Sequence, residues 1–169
     1  WCVGVTMTQV SSSTAYADVF DEVQRDFSGP GRIAELQRRA FERFSLVGIP
    51  TTKVEEWRFT NVSPIAQTTF QRPMRTSAST SEIQPFVTND VDEVAHTLVF
   101  INGAYAESLS SIAGLEDGVV VSSLAAALTS STDAEVIETH FGSAADISAA
   151  FTAFNTALST DGVFIRVPK

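Results

Sequence analysis

Between Thr76 and Ile165 the sequence holds twelve Asp or Glu residues and not one Lys or Arg. No carboxylate in this stretch has a Lys or Arg of the same stretch to pair with, so its fold must rest on apolar burial, backbone ladders and neutral hydrogen bonds. The first 75 residues are nearly balanced, with nine basic and eight acidic side chains, and Arg166 and Lys169 complete a net charge of −9. The acidic stretch reads either as a solvated face or as a surface that docks a basic partner. Both phosphate backbones and anionic lipid surfaces repel such a protein, so no nucleic acid and no membrane are expected among its partners.

At 169 residues with 44% hydrophobic content, the chain is long enough for a buried core and too apolar for disorder. No apolar run approaches the ~20 residues of a membrane-spanning helix. Met7 reads as the native start, with residues 1–6 as a leader and residues 8–14 as a frayed tail. The sole cysteine, Cys2, lies in that leader, which excludes an internal disulfide or a Cys-rich metal site built by this chain. Without a secretory signal or disulfide framework, a cytoplasmic location is expected.

Helical spacing links Tyr16, Val19, Phe20, Val23 and Phe27, and Ser28-Gly29-Pro30-Gly31 ends that run. A second helix carries Ile33, Leu36, Ala40, Phe44 and Val47 on one stripe, with Glu35–Arg39 and Arg38–Glu42 as i,i+4 pairs. Arg32, Arg39 and Arg43 share a flank of this helix, and the neighbouring glutamates account for them better than a phosphate does. Thr52 and Glu55 have capping-box spacing, so Pro50 and Thr51 are expected to lead into a short helix. Val54 and Trp57 would face the core from it, and Arg58 would pair with a carboxylate. Thr76 to Glu82 is a low-complexity stretch expected as a flexible loop between a helical region (15–75) and a mixed region (83–169).

Within the mixed region, Leu98–Ile101, Asn102-Gly103 and Ala104-Tyr105 form a hairpin signature. Val119–Val121 is a short strand running into a Leu124–Leu128 helix. Thr132 and Glu135 repeat the capping-box spacing ahead of a helix through Phe141. Ile147, Phe151, Phe154 and Leu158 mark a last amphipathic helix, and Asp161-Gly162 turns into the apolar strand Val163–Val167. The fold class is therefore α+β, with the final strand expected to be the first of further structure. An apolar strand with nothing after it to cover it suggests the front of a longer protein.

Site chemistry is sparse. Glu138 and His140 are two apart on a helix, which is not a spacing that puts two metal ligands on one face. His96 reads as solvated or locally bonded. Adjacent Glu55 and Glu56 diverge by ~100° on a helix and do not converge on one substrate. No nucleophile elbow, dinucleotide fingerprint or phosphate loop occurs. A stand-alone hydrolase or metal enzyme using His140 or His96 is the weaker alternative; no catalytic residue, cofactor-binding residue or metal ligand is assigned, and no enzyme is expected.

Three segments, in order, carry a resemblance. The first is Arg39-Ala40-Phe41, then Gly48-Ile49-Pro50-Thr51, then Glu55-Glu56-Trp57-Arg58-Phe59-Thr60-Asn61. The second is Leu98–Tyr105 followed by Leu109-Ser110 and Gly118–Val121. The third is Phe154-Asn155-Thr156-Ala157-Leu158, Asp161-Gly162 and Val163–Pro168. Together they resemble the N-terminal part of the SufB/SufD family of iron–sulfur cluster assembly subunits, the SufD branch in particular. The motif positions are Pro50, Thr51, Glu55, Glu56, Trp57, Arg58, Phe59, Thr60, Asn155, Asp161 and Gly162, with Phe59 standing where tyrosine is common.

The resemblance implies a non-catalytic scaffold domain, SufB-like and SufC-like (ATPase) partners, and a right-handed parallel β-helix following the last strand. It also implies that the cluster is handled by the assembled complex, with no cofactor bound by this chain. A SufB-like paralogue domain and a free-standing protein-interaction module remain alternatives.

Overall fold

The computed structural model describes residues 10–68, 70–72, 78–83, 86, 96–112 and 114–168. The expected leader lies outside them, as do parts of the expected loop. The fold is α+β: among the described residues there are seven helices and three antiparallel pairs of short strands. It divides into two compact units. The first takes the chain to Arg72 and then Glu135–Ser159; the second takes the intervening residues and the stretch from Thr160 onward.

The first unit is built on α1 (Val10–Asp26), α2 (Gly31–Val47) and α7 (Ala150–Leu158), with the short α3 (Ser63–Gln67) beside them. α1 begins at Val10, inside the stretch expected as a tail. Tyr16, Phe20 and Val23 are buried on α1, and Ile33, Ala40 and Phe44 on α2, as their 3.6-residue spacing predicts. Helix α7 presents the small residues Ala153, Thr156 and Ala157 to the interior, which lets it lie close against α2. Aromatic rings fill the remaining space. Phe154 packs edge-on to Tyr16 with centroids 4.9 Å apart and lies 4.5 Å from Phe44. Phe20 stacks on Phe41 at 4.2 Å.

A polar residue sits in this core. Gln37 is fully buried, accepting from Gln24 Nε2 at 2.9 Å and donating to the Ser159 carbonyl at 2.6 Å. Both halves of its amide are thereby satisfied, which removes the desolvation cost of burying it. Its Ser159 bond ties α2 to the end of α7, a link no helical periodicity announces. On the surface, Arg43 donates through Nε and an Nη to the Ser148 carbonyl at 3.2 and 3.0 Å, and Arg72 pairs with Asp26. The α2 surface pair is Glu35 with Arg38 at 2.7 Å, an i,i+3 contact in place of the two i,i+4 pairs expected. Arg38 reaches back toward Glu35 and leaves Glu42 aside.

The second unit contains α4 (Thr80–Ile83), β1 (His96–Thr97), β2 (Phe100–Ile101), β3 (Ala104–Tyr105), β4 (Ser111–Ile112), β5 (Val120–Ser123), α5 (Leu124–Ala127) and β6 (Val163–Arg166). The expected loop thus includes one helical turn, α4, at whose start the Glu82 carboxylate accepts from both the backbone N–H and the hydroxyl of Ser79, at 2.8 and 2.7 Å. β2 and β3 form the expected hairpin, with Phe100 opposite Tyr105 and Ile101 opposite Ala104. Asn102 at φ 51° and Gly103 at φ 82° supply the two positive dihedrals of a type I′ turn. The strand expected over Leu98–Ile101 is shortened to β2, because Leu98-Val99 lie outside any strand, and β1, just before them, pairs with β4.

β6 pairs antiparallel with β5, placing Val120 opposite Arg166 and Ser123 opposite Val163. One edge of the final strand is therefore already paired. Arg166 donates to Asp133 at 3.0 Å, so a cation from just outside the Lys- and Arg-free stretch neutralises one of its carboxylates. Helix α6 (Ser131–His140) starts two residues earlier than a Thr132 cap would set it. Ser130 Oγ accepts from the Asp133 N–H at 3.4 Å, so the cap is Ser130.

A candidate docking surface

The Pro50–Thr60 segment grows out of the first unit's core. Pro50 and Ile49 are buried, and Trp57 lies half-buried with its ring 5.1 Å from Phe151. The helix expected here is a single 3₁₀ turn, Glu55–Trp57, whose N-cap is Val54. Thr52 makes no capping box with Glu55; Thr51 Oγ1 instead accepts from the Lys53 N–H at 3.3 Å. Val54 precedes this turn as its extended N-cap, outside the helical repeat expected to point it inward, and it is exposed where the sequence places it in the core.

Arg58 pairs with Glu55 at 2.8 Å, as expected, and its guanidinium carbon lies 4.4 Å above the Phe59 ring centroid. Phe59 itself is 87% exposed. Glu55, Glu56, Thr51 and Thr60 are exposed beside it. A large aromatic left in water, with a cation on one face, is the residue pairing that concentrates binding energy at protein interfaces. No fold role accounts for the Phe59 ring.

Asp161 is the organising residue of the second unit. Its Oδ2 accepts from the Tyr105 N–H at 3.2 Å, and its Oδ1 from the Ala125 N–H at 3.0 Å and the Gly162 N–H at 2.8 Å. One carboxylate thus fastens β3, α5 and the entry to β6, reinforced by a Leu124 N–H bond to the Gly162 carbonyl at 2.8 Å. Beyond this clamp β6 buries Phe164 and turns Val163, Ile165 and Val167 outward, at 52%, 60% and 68% exposure. Period-2 alternation on this strand therefore puts buried Phe164 and the Asp133-paired Arg166 on one face and leaves the other apolar and bare. A strand with apolar side chains on both faces is the pattern of one sandwiched between layers.

The eleven motif positions do not converge. Pro50 to Thr60 lie in the first unit, Asn155 is exposed on α7, and Asp161 and Gly162 belong to the second unit. Among the described residues no cluster of three or more His, Cys, Asp or Glu is placed to hold a metal ion. No helix among them is long and apolar enough to cross a membrane.

Hydroxyl and backbone donors from Ser148 hold the Asp146 carboxyl below the ordinary aspartate value, with Arg43 adding a smaller pull. The Ser79 N–H and then its hydroxyl do the same for Glu82. Both groups are exposed: Glu82 sits at the start of α4, and Asp146 lies in a turn where its Oδ1 accepts from the Ser148 N–H at 2.9 Å, so these shifts mark local backbone bonds.

The family model for the SufBD protein N-terminal region matches residues 10–169, a span that takes in every described residue. The protein belongs to this SufBD N-terminal family. Membership sets it among components of the Suf iron–sulfur cluster assembly system. No curated protein and no solved structure matches the chain. For a SufBD N-terminal region, the geometry above amounts to two folded units that expose one aromatic-cation knob and one bare apolar strand face.

Proposed function

We propose that this chain is the N-terminal domain of a SufD-like subunit, and that it works as a non-catalytic docking domain of the Suf assembly. The observation that carries the reading is the match to the SufBD N-terminal region along the described residues. The bare Val163, Ile165 and Val167 face supports it, because the resemblance implies that a parallel β-helix follows this strand and would cover it. The exposed Phe59-Arg58 pair is consistent with an interface role. In this reading SufB-like and SufC-like subunits are the partners, the complex resides in the cytoplasm, and the cluster is cargo of the assembled complex. The domain contributes no ligand of its own.

Co-expression with SufB-like and SufC-like subunits, followed by affinity purification through this chain's subunit, tests the reading. Recovery of all three supports it. Recovery of the SufC-like subunit without the SufB-like one would overturn the SufD-like assignment. Anaerobic reconstitution with iron and sulfide should leave the isolated protein without iron. Stoichiometric iron retained by a Cys2→Ser variant would overturn the non-catalytic, ligand-free role.

A further inference from the structure

Asn102-Gly103 is the one Asn-Gly step in the sequence. It forms the tip of the β2–β3 hairpin, with both residues exposed. The Asn102 carboxamide makes no hydrogen bond among the described residues, and apart from Gly103 itself and its two chain neighbours no heavy atom lies within 4 Å of where a Gly103 Cβ would stand. We propose that Asn102 is a site of spontaneous deamidation in the folded protein, a covalent modification that needs no reagent but water.

The step balances simply. The Gly103 backbone nitrogen gives its proton to solvent base and attacks Asn102 Cγ. The new N–Cγ bond forms as the bond from Cγ to Nδ2 breaks, and the amide nitrogen leaves as ammonia. Water then opens the five-membered imide. Breaking the new N–Cγ bond leaves an aspartate at position 102, and breaking the original peptide bond to Gly103 leaves an isoaspartyl linkage. Net, one water is consumed and one ammonia released, with no change of oxidation state.

Two features make the folded protein competent. Glycine offers no side chain to shield the attacking nitrogen, and the surroundings of this one are open. The strands flanking the turn are two residues each, so distorting the type I′ turn toward the attack geometry breaks little structure. The other described asparagines differ in both respects. Asn61 has its Oδ1 held by the Ser63 N–H at 3.0 Å and is followed by Val62, and Asn155 lies within a helix ahead of Thr156.

The products are unequal. The aspartate form adds one negative charge to a stretch that already lacks Lys and Arg. The isoaspartyl form lengthens the backbone at the tip, so Ile101 and Ala104 no longer meet in register.

Trypsin cannot map this region, since it holds no Lys or Arg, but chymotrypsin cutting after Phe100 and Tyr105 releases Ile101–Tyr105. The native and the urea-unfolded protein should be incubated side by side at mildly alkaline pH, digested, and read by mass spectrometry. Isoaspartyl methyltransferase with S-adenosylmethionine then counts the isoaspartyl product. The native form should convert at Asn102 within about tenfold of the unfolded rate, the margin that a cheap local opening allows. Asn61 and Asn155 should stay unchanged, and Asn102→Gln should abolish the product in this peptide. Conversion confined to the unfolded form overturns the proposal, as does undiminished ammonia release from the Asn102→Gln variant.

Discussion

Asp161→Ala should unfasten the second unit without touching its apolar contacts. The substitution removes the acceptor of the Tyr105 and Ala125 N–H groups, two bonds that span 56 and 36 residues, while the Gly162 bond is local. Hydrogen bonds to a charged acceptor are worth about 1.5–3 kcal/mol each, and the Ala125 donor is exposed enough for water to replace it in part. A loss of about 2–3 kcal/mol is therefore expected, using the lower end for each bond.

Amide hydrogen exchange by NMR reads this locally and does not require the two units to melt together. Protection at Tyr105, Ala125 and the β5–β6 ladder should fall by about 30- to 150-fold, the equivalent of that free energy at 1.4 kcal/mol per decade. Asp161→Asn separates the two arms. Its oxygen can still accept from Ala125, but its NH2 group meets the Tyr105 N–H donor to donor. Tyr105 protection should collapse while Ala125 protection holds. If Asp161→Ala changes both amides by less than about threefold, the two bonds carry almost no free energy and the clamp is not what joins these elements.

Other outcomes are equally definite. Phe44→Ala should cost about 3–5 kcal/mol in urea denaturation, because Phe44 is fully buried among Tyr16 and Phe154. Phe59→Ala should stay within about 0.5 kcal/mol of the parent in the same assay while weakening capture of the Suf partner subunits. Gly142→Ala should cost at least about 1–2 kcal/mol by thermal denaturation, since Gly142 holds φ 73° and an added Cβ would stand 2.3 Å from Leu36 Cδ2. Acid should weaken the local hydrogen bonds at Asp146 and Glu82. Their folded pKa values lie below the unfolded ones, so their stabilisation is full above the ordinary carboxylate range and is lost as pH falls through the folded values. NMR titration of the Ser148→Ala variant should show the Asp146 carboxyl moving back up.

Strong periodicity was legible and local hydrogen bonding was not. The apolar stripes of α1 and α2 name Tyr16, Phe20, Ile33, Ala40 and Phe44 directly, and Asn102-Gly103 names its own turn because few residue pairs tolerate two positive φ angles. Gln37 escaped because glutamine on a helix reads as surface, and its burial depends on Gln24 and on a carbonyl 122 residues away. Two capping boxes were misplaced for the same reason. Thr52 and Thr132 have the right spacing, but Thr51 and Ser130 have the hydroxyls that reach an N–H.

The β5–β6 pairing joins strands some forty residues apart and leaves no signature in either one. Around the first motif segment, the carboxylate partner expected for Arg58 is Glu55, whereas the exposure of Val54 and Phe59, on either side of the 3₁₀ turn, could not be read from residue type.

The first unit is closed by a segment that the ribosome delivers late. Phe44 meets Phe154 across 110 residues, and Gln37 waits for Ser159. At ~5–20 residues per second, the apolar stripe of α2 spends roughly 5–20 s of synthesis without the helix that covers it. Loop-closure entropy must also be met before any of that burial is gained, which makes the docking of α7 the slow event. A nascent polypeptide stalled before Ala150 would therefore display Phe44 and Ala40 to holdase chaperones, and this protein's yield in a cell would depend on elongation speed as much as on its finished stability.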